Sequence, residues 1–319
     1  MHPAFSVILL TTLIGAGQGL FLGMYATEYV ADFVGMKDGP GHSFYIIGSV
    51  IALLLLSLGL LASFFHLGHP ERAWRSASQW RTSWLSREVI VLPLLMLLIF
   101  CYGLSHYFVI QITQWISLSL VLGGLGMFCA FALFICTGMI YACIRFLQEW
   151  ATPLTVINFT LLGILSGVAM LTSYAYYQAP EWLTVYNFSC LALLCSALLF
   201  RMAALIRNAK LRPKSNLQTA IGIKHGHIKQ LAQGSMGGSF NTREFFHGAP
   251  EWLIGKIKWI FLSLVFAVPM LCYLISISIP TPMLLHFAAL ILFLGLLVER
   301  WYFFAQANHP QNLYYQQIS

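Results

Sequence analysis

Charge is scarce in this sequence. Asp, Glu, Lys and Arg make up 8% of its 319 residues, against roughly 25% in ordinary soluble domains. With 59% hydrophobic residues and a mean hydropathy of +0.78, that scarcity excludes a soluble domain and leaves a polytopic membrane protein. A net charge of +7 does not point to nucleic acid, because the basic residues sit in loops between apolar segments. No CxxC pair is present, and the seven cysteines all fall within apolar segments, which argues against iron–sulfur ligation by this chain. Cys129, Cys136 and Cys143 recur every seven residues, a spacing that suits small packing residues on one helix face. A basic n-region is also missing. The first apolar run outlasts a signal-peptide core, so it reads as a first span.

What is present is length of apolar sequence. A helix needs about 20 apolar residues to cross a bilayer, and eight segments qualify: 5–33, 44–65, 88–108, 116–144, 154–176, 183–206, 257–277 and 282–304. Lipid offers the backbone no partners, and these runs are too long for barrel strands. The expected fold is an all-α, eight-transmembrane-helix bundle forming one integral membrane domain over 1–319. Gly15, Gly19 and Gly23 on the first helix, with Gly163 and Gly167 on the fifth, have the four-residue spacing of close helix contacts. The string GAGQG lacks the preceding strand that a nucleotide-binding loop needs, so it reads as packing.

One long connection, 207–256, separates helices six and seven. It carries Lys210, Arg212, Lys214, Lys224, Lys229 and Arg243 and the stretch GSMGGSFNTREFFHG. It reads as a basic cytoplasmic loop that sets topology and offers a surface to a partner. Of the 17 Lys and Arg residues, all but Lys37 lie on one face or at the helix ends beside it. By the positive-inside rule both termini and this loop are expected in the cytoplasm.

That topology collects ionisable residues at one depth. HLGHPERAW, from His66 to Trp74, and SWLSRE, from Ser83 to Glu88, lie between spans two and three. His66 closes one span, and Arg87 and Glu88 open the next. Tyr141 and Arg145 end the fourth, Asn158 lies early in the fifth, and Glu299 and Arg300 lie near the end of the eighth. Glu28, Asp32, His42, His106 and His286 belong to the opposite end. Each residue has a plain structural reading. Arg72 and its neighbours can mark topology and bind lipid phosphates. Glu88 can complement its own helix N-terminus, with Ser86 as the cap. Glu299 and Arg300 are adjacent, so their side chains are expected to diverge and find partners elsewhere. Together, at one depth, they suit proton-coupled chemistry on a lipid-soluble quinone, menaquinone or ubiquinone. A histidine can exchange a proton with a ring oxygen, and a partly buried carboxylate can relay it to water. No two histidines are placed to sandwich a haem, so none is expected, and electrons must come from another subunit.

HLGHPERAW followed by SWLSRE resembles the membrane anchor subunits of dimethyl sulfoxide reductase, within the complex iron–sulfur molybdoenzymes. Eight helices, the stretch from Trp150 to Leu154, and Glu299-Arg300 followed by aromatics extend the likeness along most of the chain. The resemblance implies that His66 and Glu88 take part in quinol binding and oxidation. It also implies partners: a four-cluster iron–sulfur subunit and, through it, a molybdopterin catalytic subunit. The charge pattern puts the His66–Glu88 loop in the cytoplasm, unlike the periplasmic-facing sulfoxide reductase anchors. In that respect, and in its long loop, the chain resembles the larger anchors such as those of sulfite dehydrogenases. The expected site is therefore quinone-binding, with His66, Glu88, Arg87, Arg72, Tyr141, Arg145, Glu299 and Arg300, in a multi-pass protein of the bacterial inner membrane. Two other readings are a transporter, which lacks support from repeats or midplane charges, and a purely structural anchor.

Overall fold

The computed structural model describes residues 2–34, 39–65, 67–113, 117–212, 214–229, 248–310 and 312. Among them are eight helices long and apolar enough to cross a membrane. They are α1 (Phe5–Val34), α2 (His42–Phe64), α3 (Trp84–Phe108), α4 (Leu118–Ala142) and α5 (Pro153–Gln178), then α6 (Leu183–Ala209), α7 (Trp252–Ser278) and α8 (Pro282–Ala305). No β-strand occurs among the described residues, only an isolated bridge between Gln111 and Ser117.

Local chemistry sets the helix starts. The Ser83 side chain accepts from the Ser86 amide, so α3 begins at Trp84 and not at Glu88. Ser86 is buried inside the helix and is not its cap. Pro153 opens α5, where a missing amide proton costs nothing. The Trp150–Leu154 stretch also ties α5 to α8, because Trp150 Nε1 donates to the Phe303 carbonyl at 3.0 Å. Trp150 O in turn accepts from Thr155 Oγ1 at 2.7 Å. The seventh span starts earlier than its apolar core suggests, at Trp252. It contains a π-helical turn, Ser263–Ala267. Among its described residues, the connection before it includes a short helix, Leu217–Ile221, closed by Gly222 at φ 73°. The Gly-rich stretch singled out there lies at 234–248, of which only Gly248 is among the described residues.

Helices α1 and α5 are the centre. Gly19 lies against the backbone of Gly163 and Ile164, and Gly167 against that of Gly19 and Leu20, so a side chain at either position would strike main chain. That contact makes the four-residue glycine spacing a helix–helix seam. One apolar core joins α1 to α2, α3, α4 and α5; a second joins α5 to α6, α7 and α8. An aromatic cluster of Trp150, Phe159, Phe303 and Phe304 packs the end that carries the termini.

Candidate functional site

Glu88 sits in the second turn of α3, buried, and accepts a hydrogen bond from Thr137 Oγ1 of α4 at 2.5 Å. The placement differs from a carboxylate that merely greets its own helix dipole. Its partner is on the neighbouring helix, so the α3–α4 contact fixes it. Tyr141 follows Thr137 by one turn on the same face of α4. It lies within electrostatic reach of both Glu88 and Arg300. Its ring stacks on Phe159 (5.4 Å, 22°) and meets Trp150, Phe303 and Phe304 edge-on.

Arg300 of α8 crosses the same ring, its guanidinium carbon 3.8 Å from the Phe159 centroid. Here the expectation of partners elsewhere holds for Glu299 and fails for Arg300. Arg300 Nε comes back to Glu299 Oε2 at 3.0 Å, and Glu299 Oε1 meets Arg201 Nη2 of α6 at 2.8 Å. The flexible arginine arm spans the roughly 100° between adjacent helix positions because both groups are buried and need a counter-charge. Glu299 and Arg201 are only 1% and 2% exposed. Asn158 ties α5 to α6, donating to the Leu154 and Phe200 carbonyls. Glu88, Thr137, Asn158, Arg201 and Glu299 all lie about 6–12 Å in from their helix ends, at about 1.5 Å rise per residue.

The remaining expected residues stand apart. Arg87 is half-buried and turns outward; it donates to the Trp80 and Arg81 carbonyls at 2.9 Å each and covers the Trp84 ring. It pins the loop to α3. Arg72 is exposed on a 3-10 segment, Pro70–Gln79, with its Nε 3.7 Å from Glu71. Arg145 is exposed and lines a surface cavity of about 320 Å³ with Glu149 and His309. In that cavity burial pushes the Glu149 carboxyl above its ordinary range and the His309 imidazole below. His66 lies outside the described residues.

A second polar cluster occupies the opposite end. Glu28 of α1 accepts from Tyr102 Oη at 2.7 Å and from Ser119 Oγ, and faces His106 Nε2 at 3.4 Å. His106 in turn lies 3.3 Å from His42, Nδ1 to Nδ1, with Tyr45 stacked on it at 4.3 Å. A cavity of about 280 Å³ opens beside them. Among the described residues no three His, Cys, Asp or Glu side chains converge as metal ligands, and the two imidazoles form a hydrogen-bonded pair. Between the two clusters, α3 carries the buried Leu92, Leu95 and Ile99, which pack with Phe21 and Met24 of α1.

Sequence reasoning missed two features. By position Arg201 groups with the basic residues near helix ends, although it falls inside the apolar run ALLFRMAALI. A guanidinium within a span was the available signal. The Glu28–His106–His42 pairing joins residues far apart in sequence and had no local signature.

The chain as a whole has relatives. Residues 1–315 match the family described as DMSO reductase anchor subunit (DmsC). Across the full length of both proteins, the chain is 52% identical to a sulfite dehydrogenase subunit of Allochromatium vinosum. This chain therefore belongs to the DMSO reductase anchor subunit family.

Proposed function

We propose that the chain is the quinone-reactive anchor of a molybdopterin/iron–sulfur oxidoreductase, passing electrons between an iron–sulfur subunit and the membrane quinone pool. The observation that carries this reading is Glu88: a buried carboxylate near the terminus-bearing end, held by Thr137 beside Tyr141. A quinone supplies two-electron, two-proton chemistry. The chain's part is to hold and exchange protons where the ring oxygens sit. Glu88 is the exchanging acid, Thr137 orients it, and the aromatic cluster around Tyr141 shapes an apolar wall. His66, from the adjoining loop, is the second proton partner in this reading. The identity to a sulfite dehydrogenase subunit favours sulfite oxidation coupled to quinone reduction, with the catalytic module in the cytoplasm. A purely structural anchor leaves Glu88 without a task.

Purification in mild detergent tests the assignment. An iron–sulfur subunit and a molybdopterin subunit are expected to co-purify with bound quinone, and the reduced spectrum is expected to lack a b-type α-band. Isolation of the chain alone, or a stoichiometric b-type haem, would overturn it. Sidedness is tested separately. A reporter fused after Ser319 is expected to be active in the cytoplasm. Activity in the periplasm would reverse the orientation and return the reading to a periplasmic sulfoxide reductase.

A further inference from the structure

The buried layer that holds Glu88 also holds three charges from helices on the far side of the bundle. Arg201, Glu299 and Arg300 belong to α6 and α8, yet they connect towards Glu88 through one turn of α4 and a shared aromatic cluster. Glu88 is bonded to Thr137, and Tyr141 lies one turn further along α4. Tyr141 and Arg300 share Phe159 and Phe303, at 5.4 and 5.7 Å for the tyrosine ring and 3.8 and 5.9 Å for the guanidinium. Arg300 meets Glu299, and Glu299 meets Arg201. Within the ion group itself, two guanidiniums share the single carboxylate of Glu299.

Arg201 is the far post of this series. Phe261 of α7 lies 5.3 Å from its guanidinium and Tyr302 6.0 Å. The π-helical turn of α7 begins two residues after Phe261, and such turns are frequent at functional sites. Arg201 Nε is buried with no hydrogen-bond partner. Beside Arg300, a recess of about 10 Å³ lined by Thr11, Thr12 and Ser166 is the size of about one water. A buried ion group of this kind is weak evidence for stability, because apolar residues often replace one without loss. An ionisable group inside a span is instead a sign of function.

We infer that Arg201 is a positioning residue for the quinone site: through Glu299 it sets Arg300 against the aromatic wall and so fixes Tyr141 beside Glu88. The inference rests on the quinone reading of Glu88 given above. Lysine is only a partial substitute, because an ammonium lacks the planar fork with which Arg201 reaches Glu299.

The test uses the whole complex. Arg201→Gln is expected to lower quinone-coupled kcat per assembled complex by about tenfold or more, with dye-coupled activity and KM for quinone near wild type. Arg201→Lys is expected to fall between. Tyr141→Leu, which removes the ring stacked on Phe159, lowers the same kcat, and the Arg201→Gln/Tyr141→Leu double variant is expected to fall no further than the worse single. Wild-type kcat in Arg201→Gln, or single effects that multiply in the double variant, would overturn the inference. Where Arg201→Gln does not accumulate, Arg201→Lys decides: reduced quinone-coupled kcat supports positioning and wild-type kcat refutes it. A parallel Glu88→Gln complex separates the two readings. If that variant is slow and the Arg201 variants are not, only this inference fails; if Glu88→Gln is itself at full turnover, the quinone reading falls.

Discussion

Glu88→Gln is expected to depress quinone-coupled turnover about a hundredfold, the usual cost of a lost acid–base group, while dye-coupled turnover of the catalytic subunit persists. The expectation follows from how the side chain is held. Glutamine has the same length and keeps a carbonyl oxygen to accept from Thr137 Oγ1, so the 2.5 Å contact between α3 and α4 has a replacement. What disappears is the proton that a carboxyl can take up and release. A variant with both activities reduced together would show misassembly, and one with quinone-coupled turnover intact would remove Glu88 from the proton path. His66→Ala is expected to behave as Glu88→Gln does, because the proposed reading makes it the second proton partner.

The second large effect concerns the seam between α1 and α5. Gly167→Ala adds one methyl group, and that methyl falls on the main chain of Gly19 and Leu20. Side chains can rotate away from such a clash, but two packed helix backbones must separate. Overpacking in a well-filled core costs about 1–3 kcal/mol, and this case is at the upper end because no rotamer relieves it. Membranes are expected to hold much less assembled anchor, with a lower melting temperature for what remains. Gly255→Ala is the control, since nothing lies within 4 Å of its added Cβ. Equal accumulation of both variants would contradict the close approach of α1 and α5.

Reading the sequence first recovers the eight spans, because a run of apolar residues long enough for a bilayer has few other uses. Glycine spacing also anticipates the α1–α5 contact, since only residues without side chains let backbones approach so closely. The start of α3 is harder. Ser83 and Ser86 are both plausible caps, and only the fold distinguishes the one that bonds Ser86 N from the one buried among neighbours. Glu88 is legible as a candidate, but its hydroxyl partner on α4 is not, because Thr137 is one of many threonines in apolar helices. Arg87, Arg72 and Arg145 share Glu88's membrane depth in the sequence, yet face the loop, solvent and a surface cavity. Depth alone is a one-dimensional coordinate and says nothing of azimuth around a helix. The same limit hid Arg201, whose counter-charge comes from Glu299, a residue almost a hundred positions later.

Leu92, Leu95 and Ile99 stand between Glu88 and Tyr102 on α3, and they form an electrical insulator along that seam. Fourteen residues of helix place about 21 Å between the two carboxylate clusters, and proton hopping needs hydrogen-bonding groups at every few ångströms of that distance. Saturated side chains provide none. Along α3 and α4, then, the Glu88 cluster and the Glu28 cluster behave as two separate capacitor plates.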